Sequence, residues 1–199
     1  MRRVLIAVLP ALFLTACGEP EAPSGGDKAA GAPLPSGGWA VDYGASRLGF
    51  AATQTGKTFE GEFKKYDAEI VFDPDDLSTA SIKVAVDMSS AKTGDLQRDL
   101  ALPEADWFDV KAYPSARYVS TDIEKTGEGS YVAHGALSIR DATKPLDLPF
   151  TLEITGDKAH AVGEASLVRT DYGVGQGDFQ KGEWVGLDVK VTVDVTASR

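Results

Sequence analysis

Two histidines are the side chains that first suggest chemistry in this sequence, because an imidazole can ligate zinc or act as a general base. His134 and His160 both fall in stretches with strand-like alternation, and neither belongs to an HxxxH or HExxH pattern. Two histidines are too few for most zinc sites without carboxylate help. No G-x-S-x-G elbow is present for a serine nucleophile either. We therefore expect both histidines to face solvent, and we expect no catalytic residue, no metal site and no cofactor.

Two further patterns lack the spacing that their chemistry requires. Residues 73–76 include three aspartates, but Pro74 interrupts them, and the glycine and distal glutamate of a calcium loop are missing. Residues 173–177 carry three glycines, but neither GK[ST] nor a helical pattern follows to bind a phosphate. Both stretches are predicted to be turns.

The composition limits the classes of partner. The chain has 199 residues, of which 43% are hydrophobic, and this suits one globular domain with a substantial core. Its 20 Lys and Arg against 30 Asp and Glu give a formal net charge of −10. No basic cluster occurs after Arg3. We therefore expect no nucleic acid as a partner.

The single cysteine, Cys17, stands at the end of an export signal. Two arginines precede a nearly all-apolar run over residues 4–16, which is shorter than the roughly 20 residues that span a bilayer and is typical of a secretory signal. The run ends Leu-Thr-Ala-Cys, which resembles the bacterial lipobox. We predict that residues 1–16 are a lipoprotein signal peptide and that lipidated Cys17 anchors the protein in the periplasm. Gly18 rather than Asp follows the cysteine and favours the outer membrane; a signal peptide cut near Ala16 with a chance cysteine is the alternative.

A tether separates the anchor from the folded part. Residues 18–38 are rich in Gly, Pro and Ser, and Leu34 is their one large apolar residue, so they cannot form a core. We predict the lipidated cysteine and a flexible tether over residues 17–38 and a folded domain over residues 39–199.

The folded part reads as nine or ten short strands. Apolar and polar residues alternate with period two, most clearly over residues 82–88 and 187–195, and turn residues separate the segments. No strand–helix–strand rhythm appears, so the predicted sheet is antiparallel. This pattern allows either a β-sandwich or a closed barrel. Successive hairpins favour the up-and-down barrel. Periodicity alone does not decide whether the barrel is filled by side chains or hollow.

One insertion, residues 93–114, breaks the strand pattern. Leu96 and Leu100 lie four apart, as on one short amphipathic helix, with Thr93 as the expected N-cap. Trp107 and Phe108 follow in an acidic loop. We expect the helix to pack Leu96 and Leu100 against an open end of the barrel, where the two aromatic residues plug or line the opening.

Several stretches together resemble the YceI family of bacterial lipid- or polyisoprenoid-binding proteins. The resemblance covers residues 39–199 and is sharpest in the insertion. The matching motifs are Trp39-x-x-Asp42, Ser46-Arg47-Leu48-Gly49-Phe50, Gly61-x-Phe63, Asp67-x-x-Ile70-x-Phe72, Thr93-x-Asp95-x-x-Arg98-Asp99-x-x-Leu102, Asp106-Trp107-Phe108-Asp109, Tyr113-Pro114, Gly135-x-Leu137-Ser138-Ile139-x-x-x-Thr143-Lys144-Pro145 and Arg169-x-Asp171-Tyr172-Gly173-Val174-Gly175.

This resemblance implies an all-β fold, an eight-stranded antiparallel lipocalin-like barrel with one short helix near one end. It also implies a ligand, a long apolar isoprenoid-type lipid such as a polyprenyl phosphate or a quinone-like molecule. The expected partners are this lipid and the membrane that holds Cys17, and a homodimer is left open. Glycines such as Gly61 and Gly135 would leave room for the ligand.

The candidate site residues follow from the inward faces. The ligand would contact an apolar lining that comprises Phe50, Phe59, Phe63, Ile70, Phe72, Val84, Val86, Leu137, Phe150 and Leu152. The lid would consist of Leu96, Leu100, Trp107 and Phe108. Arg98 and Arg169 are candidates for a ligand head group; the alternative for Arg98 is pairing with Asp95 or Asp99, or holding the helix in place.

Two alternatives to a lipid carrier stay open on the sequence. One is a ligand-free, stress-linked accessory protein of the envelope that acts through its surface. The other is an enzyme acting on an apolar substrate inside the barrel, which an inward Asp or Glu with a strongly raised pKa would support.

Overall fold

The computed structural model describes residues 36–199, so the predicted signal peptide, Cys17 and nearly all of the tether lie outside the described residues. Gly38, predicted as the last tether residue, already begins a strand. The strands are β1 Gly38–Val41, β2 Arg47–Gln54, β3 Lys57–Phe63, β4 Tyr66–Val71, β5 Ser81–Asp87, β6 Ala91–Lys92, β7 Ser115–Gly127, β8 Ser130–Ile139, β9 Ala142–Thr155, β10 Lys158–Val168 and β11 Asp188–Ser198. The helix α1 spans Leu96–Ala101, and 3₁₀ turns span Leu77–Thr79, Met88–Ser90, Arg169–Tyr172 and Gly177–Phe179.

The eleven segments form a closed antiparallel barrel of eight strands. Three of these strands are bent and consist of two segments each, β1 with β2, β3 with β4, and β5 with β6. The barrel closes where β11 pairs with β1 at Ala40–Ser198 and with β2 at Leu48–Val193. Between these contacts the Asp42 N–H donates to the Thr196 carbonyl at 2.9 Å, so β11 runs unbroken past the bend. The predicted up-and-down barrel is confirmed.

Strand β9 is longer than the sequence pattern indicated. Residues 141–145 were predicted to be a turn, but β9 begins at Ala142 and includes Pro145, which faces Ala136 of β8. The turn is confined to residues 140–141, where Arg140 adopts a positive φ of 54°. A proline is tolerated in a strand where its missing N–H faces an unpaired edge.

The insertion lies at one end of the barrel, here called the insertion end. The β2–β3 and β8–β9 turns and the segment between β10 and β11 share this end. The opposite end, here called the distal end, carries the start of β1 and the end of β11. Within residues 36–199, no helix is long and apolar enough to cross a membrane.

Candidate functional site

The barrel is hollow. A cavity of about 270 Å³ lies inside it, and its wall is almost entirely apolar. A single water needs roughly 10–15 Å³ measured in this way, so the space far exceeds a packing defect. The question that periodicity left open is thereby answered.

The cavity exists because one strand contributes almost no side-chain volume. The inward positions of β10 are Ala159, Ala161, Gly163 and Ala165, and the sequence reaches a large inward residue only at Leu167. Their partner positions on β11 are valines, such as Val193 opposite Gly163, except that Ala197 lies opposite Ala159. Close-packed interiors require large and small residues to compensate each other. Ala161 lies between Leu152 and Val195 and so has no aromatic residue opposite it on either neighbouring strand, whereas Ala159 packs in the aromatic cluster of the distal end. Their run at alternate positions was the sequence signal for a hollow interior.

All ten predicted lining residues lie on the cavity wall. They are Phe50, Phe59, Phe63, Ile70, Phe72, Val84, Val86, Leu137, Phe150 and Leu152. Their alternation with polar neighbours puts them on the inner face of the sheet. That they contact a ligand stays a prediction.

The glycines that were expected to make room for a ligand make room for aromatic rings instead. A Cβ at Gly61 would lie 2.3 Å from the Phe50 ring, and one at Gly135 would lie 2.6 Å from the Tyr118 ring. Both rings therefore lie flat on the wall. Free space in the cavity comes from the alanines of β10.

Packed aromatic side chains close the distal end. The rings of Phe72 and Tyr131 meet edge to face at 5.1 Å, and Tyr131 stacks on Phe150 at 5.5 Å. Trp39 is buried beside them and donates its indole N–H to the Phe72 carbonyl at 2.9 Å. The sequence interpretation named Trp39 only as a motif residue and did not predict Trp39 or Tyr131 as part of the site, although both are large aromatic residues on alternating strands.

The helix α1 faces the other way from the prediction. Leu96 and Leu100 are 74% and 65% exposed, so they do not pack against the barrel. The N-cap is Asp95, not Thr93, and its carboxylate accepts from the Gln97 and Arg98 N–H groups. Thr93 instead donates its N–H and hydroxyl to the Asp99 carboxylate, at 2.7 and 2.8 Å. These polar contacts fix the rotation of a six-residue helix more firmly than two leucines can.

The loop after the helix reaches the cavity. Trp107 and Phe108 both line it, and the Phe108 ring lies 6.1 Å from Phe63. Arg140 holds this loop in place by donating to the carbonyls of Trp107 and Gly173, each at 2.8 Å. The sequence interpretation missed Arg140, whose role depends on contacts more than thirty residues away.

These positions change the expected effect of lid substitutions. We expect Leu96→Asp to leave lipid retention unchanged, because the side chain already faces solvent. We expect Trp107→Ala to lower retention several-fold, because it removes a large aromatic ring from the cavity wall. The measurement is lipid per chain after solvent extraction of each purified variant. Equal loss in both variants, or in neither, would contradict this assignment.

Arg169 is wrong as a head-group candidate. Its side chain is 3% exposed, and all five guanidinium N–H groups are used within the protein. The acceptors are the backbone carbonyls of Gly186, Val174, Gly175, Phe179 and Val185. Burial lowers the pKa of Arg169, and the guanidinium lies 5.5 Å from the Trp107 ring. It stabilises the insertion end and has no donor left for a ligand.

Arg98 holds the helix to the barrel, which was the alternative considered for it. Its guanidinium stacks 4.5 Å from the Phe59 ring and donates to the Gln54 side chain at 3.1 Å. It also lies 3.8 Å from the Asp95 carboxylate. A role in head-group binding is not needed to explain its position.

Tyr118 gives the barrel a pH-dependent contact. Its hydroxyl donates to the Ala133 carbonyl at 2.8 Å, and burial, followed by the charge of Asp147, raises the pKa of Tyr118 to about 12. The unfolded value is 10.0, so this contribution is fully present below pH 10 and is lost as the pH rises through 12. We expect a loss of about 2–3 kcal/mol over this range.

Urea unfolding at pH 9 and pH 12 measures this effect. Tyr118→Phe is the control. Between pH 9 and pH 12 the free energy of unfolding should fall by about 2–3 kcal/mol more in the parent than in the variant. Equal losses in parent and variant would show that Tyr118 is not the titrating group.

Neither histidine lines the cavity. His134 lies 2.8 Å from Asp147, and His160 lies 2.8 Å from Asp194, both on the outer face of the sheet. The hydrogen bond with Asp147 raises the pKa of His134. Among residues 36–199, no three His, Cys, Asp or Glu side chains lie close enough to hold a metal ion.

Comparison with known proteins identifies relatives along the same part of the chain. The model of the YceI-like domain matches residues 39–197. A UPF0312 protein of Pseudomonas putida strain W619 is 28% identical over 157 residues, which cover 76% of this chain and 78% of that protein. A UPF0312 protein of Pseudomonas syringae pv. tomato is 29% identical over 155 residues, which cover 75% and 77%.

Solved structures share the barrel. BcnA of Burkholderia cenocepacia superimposes with a TM-score of 0.77 at 28% identity and covers 79% of this chain and 99% of its own. A polyisoprenoid-binding domain of Saccharophagus degradans superimposes with a TM-score of 0.64 at 13% identity and covers 80% and 97%. At that identity the second structure is similar in fold alone.

Proposed function

The chain belongs to the YceI-like family, and from that membership we propose that its barrel holds one long apolar lipid of the isoprenoid type. The observation that carries the proposal is the hollow, apolar interior. Such a wall favours a hydrocarbon chain over a polar metabolite, because a polar group buried without a hydrogen-bond partner costs free energy. The polyisoprenoid-binding neighbour from Saccharophagus degradans supports the same class of ligand.

An uncharged, quinone-like lipid fits the interior better than a polyprenyl phosphate. The donors of Arg169, the buried arginine on the wall, are all taken by backbone carbonyls. Arg47 and Arg117 also contribute to the wall, but both are exposed. A phosphate deep inside the barrel would therefore lack a buried cationic partner, at a large desolvation cost.

We propose binding and transport rather than catalysis. Among the described residues, no Asp, Glu, His or Cys lies on the cavity wall. The wall therefore lacks the histidine or carboxylate that most often acts in general acid–base catalysis. The inward carboxylate that would support an enzyme is not found in this part of the chain.

We further propose that the protein acts in the bacterial periplasm, held to the outer membrane through lipidated Cys17. The support is the N-terminal pattern, a short basic start, an apolar run and Leu-Thr-Ala-Cys. A tethered barrel could take up a lipid from one membrane and release it elsewhere in the envelope.

Extraction of the native protein tests the proposed function. The protein is purified from its native host, extracted with organic solvent, and the extract is analysed by mass spectrometry. We expect one isoprenoid-type lipid per chain. Protein unfolded, washed free of lipid and refolded is the control and should give none. A clean extract from the native protein would exclude the carrier function and favour the ligand-free accessory role.

A further inference from the structure

One seam of the barrel is paired along only half of its length. Strands β9 and β10 pair over Thr155–Phe150 and Lys158–Gly163, and beyond these residues they separate toward the insertion end. On its other side, β9 stays paired with β8 as far as Ala142. Likewise, β10 stays paired with β11 as far as Val168. The missing pairing is therefore specific to the seam between β9 and β10, because both strands remain regular and paired on their other edges.

The sequence prevents this seam from pairing. The Leu152 N–H donates to the Gly129 carbonyl on the β8 side, at 2.8 Å. Backbone direction alternates along a strand, so the nitrogens of Pro149 and Pro145 face β10. Neither nitrogen carries a hydrogen, and the free edge of β9 loses two donors.

A charge at the end of the inward row adds to this effect. Lys144 pairs with Leu137 of β8, so it continues the inward row of β9, but its side chain is exposed and does not line the cavity. Inward-pointing charges and prolines are two of the ways in which proteins protect an unpaired strand edge. Lys144 makes no ion pair with any other described residue. The open seam is thus a specified feature of β9.

A groove of about 290 Å³ lies along the open seam. Its polar rim includes Lys144, Ser166, Asp171 and Asp188. Two motifs that the sequence analysis singled out meet here, one around Lys144 and one around Asp171.

The groove and the cavity share part of their walls. Of the described residues, Leu146, Leu167 and Tyr172 line both spaces. These three side chains stand between the cavity and the groove. Leu146 and Leu167 are only half-buried, and they lie beyond Phe150 and Gly163, where the pairing of β9 with β10 ends.

We propose that this seam is a lateral portal through which the lipid enters the cavity, with an uncharged polar head group held at the rim. The proposal rests on the carrier function proposed above. Both barrel ends are less suitable routes, because aromatic rings fill the distal end and the clamped loop around Trp107 covers the insertion end. An unpaired seam can widen without breaking backbone hydrogen bonds.

The charges of the rim set the class of head group. Lys144 contributes one positive charge, and Asp171 and Asp188 contribute two negative charges. A phosphate would meet net repulsion at this rim. A hydroxyl or carbonyl head can exchange hydrogen bonds with Ser166, Lys144 and the free backbone groups of the seam.

A cross-link across the seam tests the portal. Lys144→Cys and Ser166→Cys are combined in the full chain carrying Cys17→Ser, and a short bismaleimide joins them. The control joins Ser138→Cys to Thr143→Cys across the neighbouring paired seam, where the two native hydroxyls lie 2.8 Å apart. The probe is all-trans-retinol, an isoprenoid alcohol, and its rate of uptake by lipid-free protein is followed by fluorescence.

We expect the portal cross-link to slow retinol uptake by about tenfold or more and the control cross-link to change it by less than about twofold. An unchanged rate in the portal-linked protein, with retinol still bound, would overturn the portal alone. If the unlinked proteins bind no retinol, the carrier function fails and the portal fails with it.

Retinyl phosphate tests the head-group class, since it shares the retinol tail. We expect the parent to bind retinol about tenfold more tightly than retinyl phosphate, and the pair Asp171→Asn and Asp188→Asn to narrow this difference. Equal or tighter binding of retinyl phosphate by the parent would overturn the uncharged head group at this rim.

Discussion

Replacing Arg169 with methionine should lower the free energy of unfolding by about 4 kcal/mol. The guanidinium is almost fully buried and donates to five backbone carbonyls. Methionine fills much of the volume but donates to none of them. Each buried carbonyl left without a partner costs about 1–3 kcal/mol, and local rearrangement recovers part of the total.

The measurement is the urea midpoint at constant m-value, because a change in midpoint alone reports stability. Arg47→Met is the matched control. Arg47 is exposed, and its contact with Glu62 is a surface ion pair at 3.7 Å, so its loss should cost no more than about 0.5 kcal/mol. The urea midpoint of Arg169→Lys should lie between those of Arg169→Met and Arg47→Met, since an ammonium has three hydrogen-bond donors. Similar midpoints for Arg169→Met and Arg47→Met would contradict a stabilising role for Arg169.

If the barrel holds a lipid as proposed, replacing Ala161 with phenylalanine should remove most of it without unfolding the barrel. Ala161 faces inward, opposite Leu152 of β9 and Val195 of β11, and lines the cavity. A phenyl ring there occupies space that the lipid would use. We expect lipid per chain to fall about tenfold, and stability to stay the same or rise because an empty apolar space is filled.

Val162→Phe is the matched control, because Val162 is the next residue on β10 and is 44% exposed on the outer face. The same ring is then added without entering the cavity. Lipid content is measured by extraction and mass spectrometry, and stability by thermal unfolding. Lipid loss in both variants would point to a disturbed β10 strand, and retention in both would contradict the cavity as the binding site.

The barrel and its inner face were predictable because a sheet imposes a period of two on burial. The valines at positions 189, 191, 193 and 195 of β11 all line the cavity, as the alternation indicated. Each strand carries this information locally, so no knowledge of distant contacts is needed. The cavity was also present in the sequence, in the inward alanines of β10, but that strand appeared weak because small residues give a weak hydrophobic signal.

The parts that the sequence did not predict depend on polar contacts, some local and some distant. The leucines of α1 suggested a buried face, but the helix orientation follows from Asp95, from Asp99 and from the stacking of Arg98 on Phe59. The role of Arg169 requires five carbonyls of the segment between β10 and β11 to fold back onto one side chain. Apolar periodicity does not report such polar contacts, even those within a few residues, and so Arg169 was taken for a ligand-binding group.

Strand β9 shows a different limit. Pro145 was interpreted as a turn residue, which is the usual meaning of proline between strand patterns. In the barrel it lies within a strand whose free edge faces the open seam. Pro145 therefore caused the start of β9 to be missed, and it also contributes to the unpaired edge at the proposed portal.

Native mass spectrometry of the intact protein tests the central claim most directly, namely that one isoprenoid-type lipid occupies the barrel. The protein is purified from its native host without detergent, together with Ala161→Phe. We expect the parent to carry a single noncovalent adduct that is released on collisional activation and has the mass of an uncharged isoprenoid-type lipid. We expect the variant to be largely without it. A parent protein that is detected without an adduct, or an adduct present in equal amount on the parent and on Ala161→Phe, would contradict the claim.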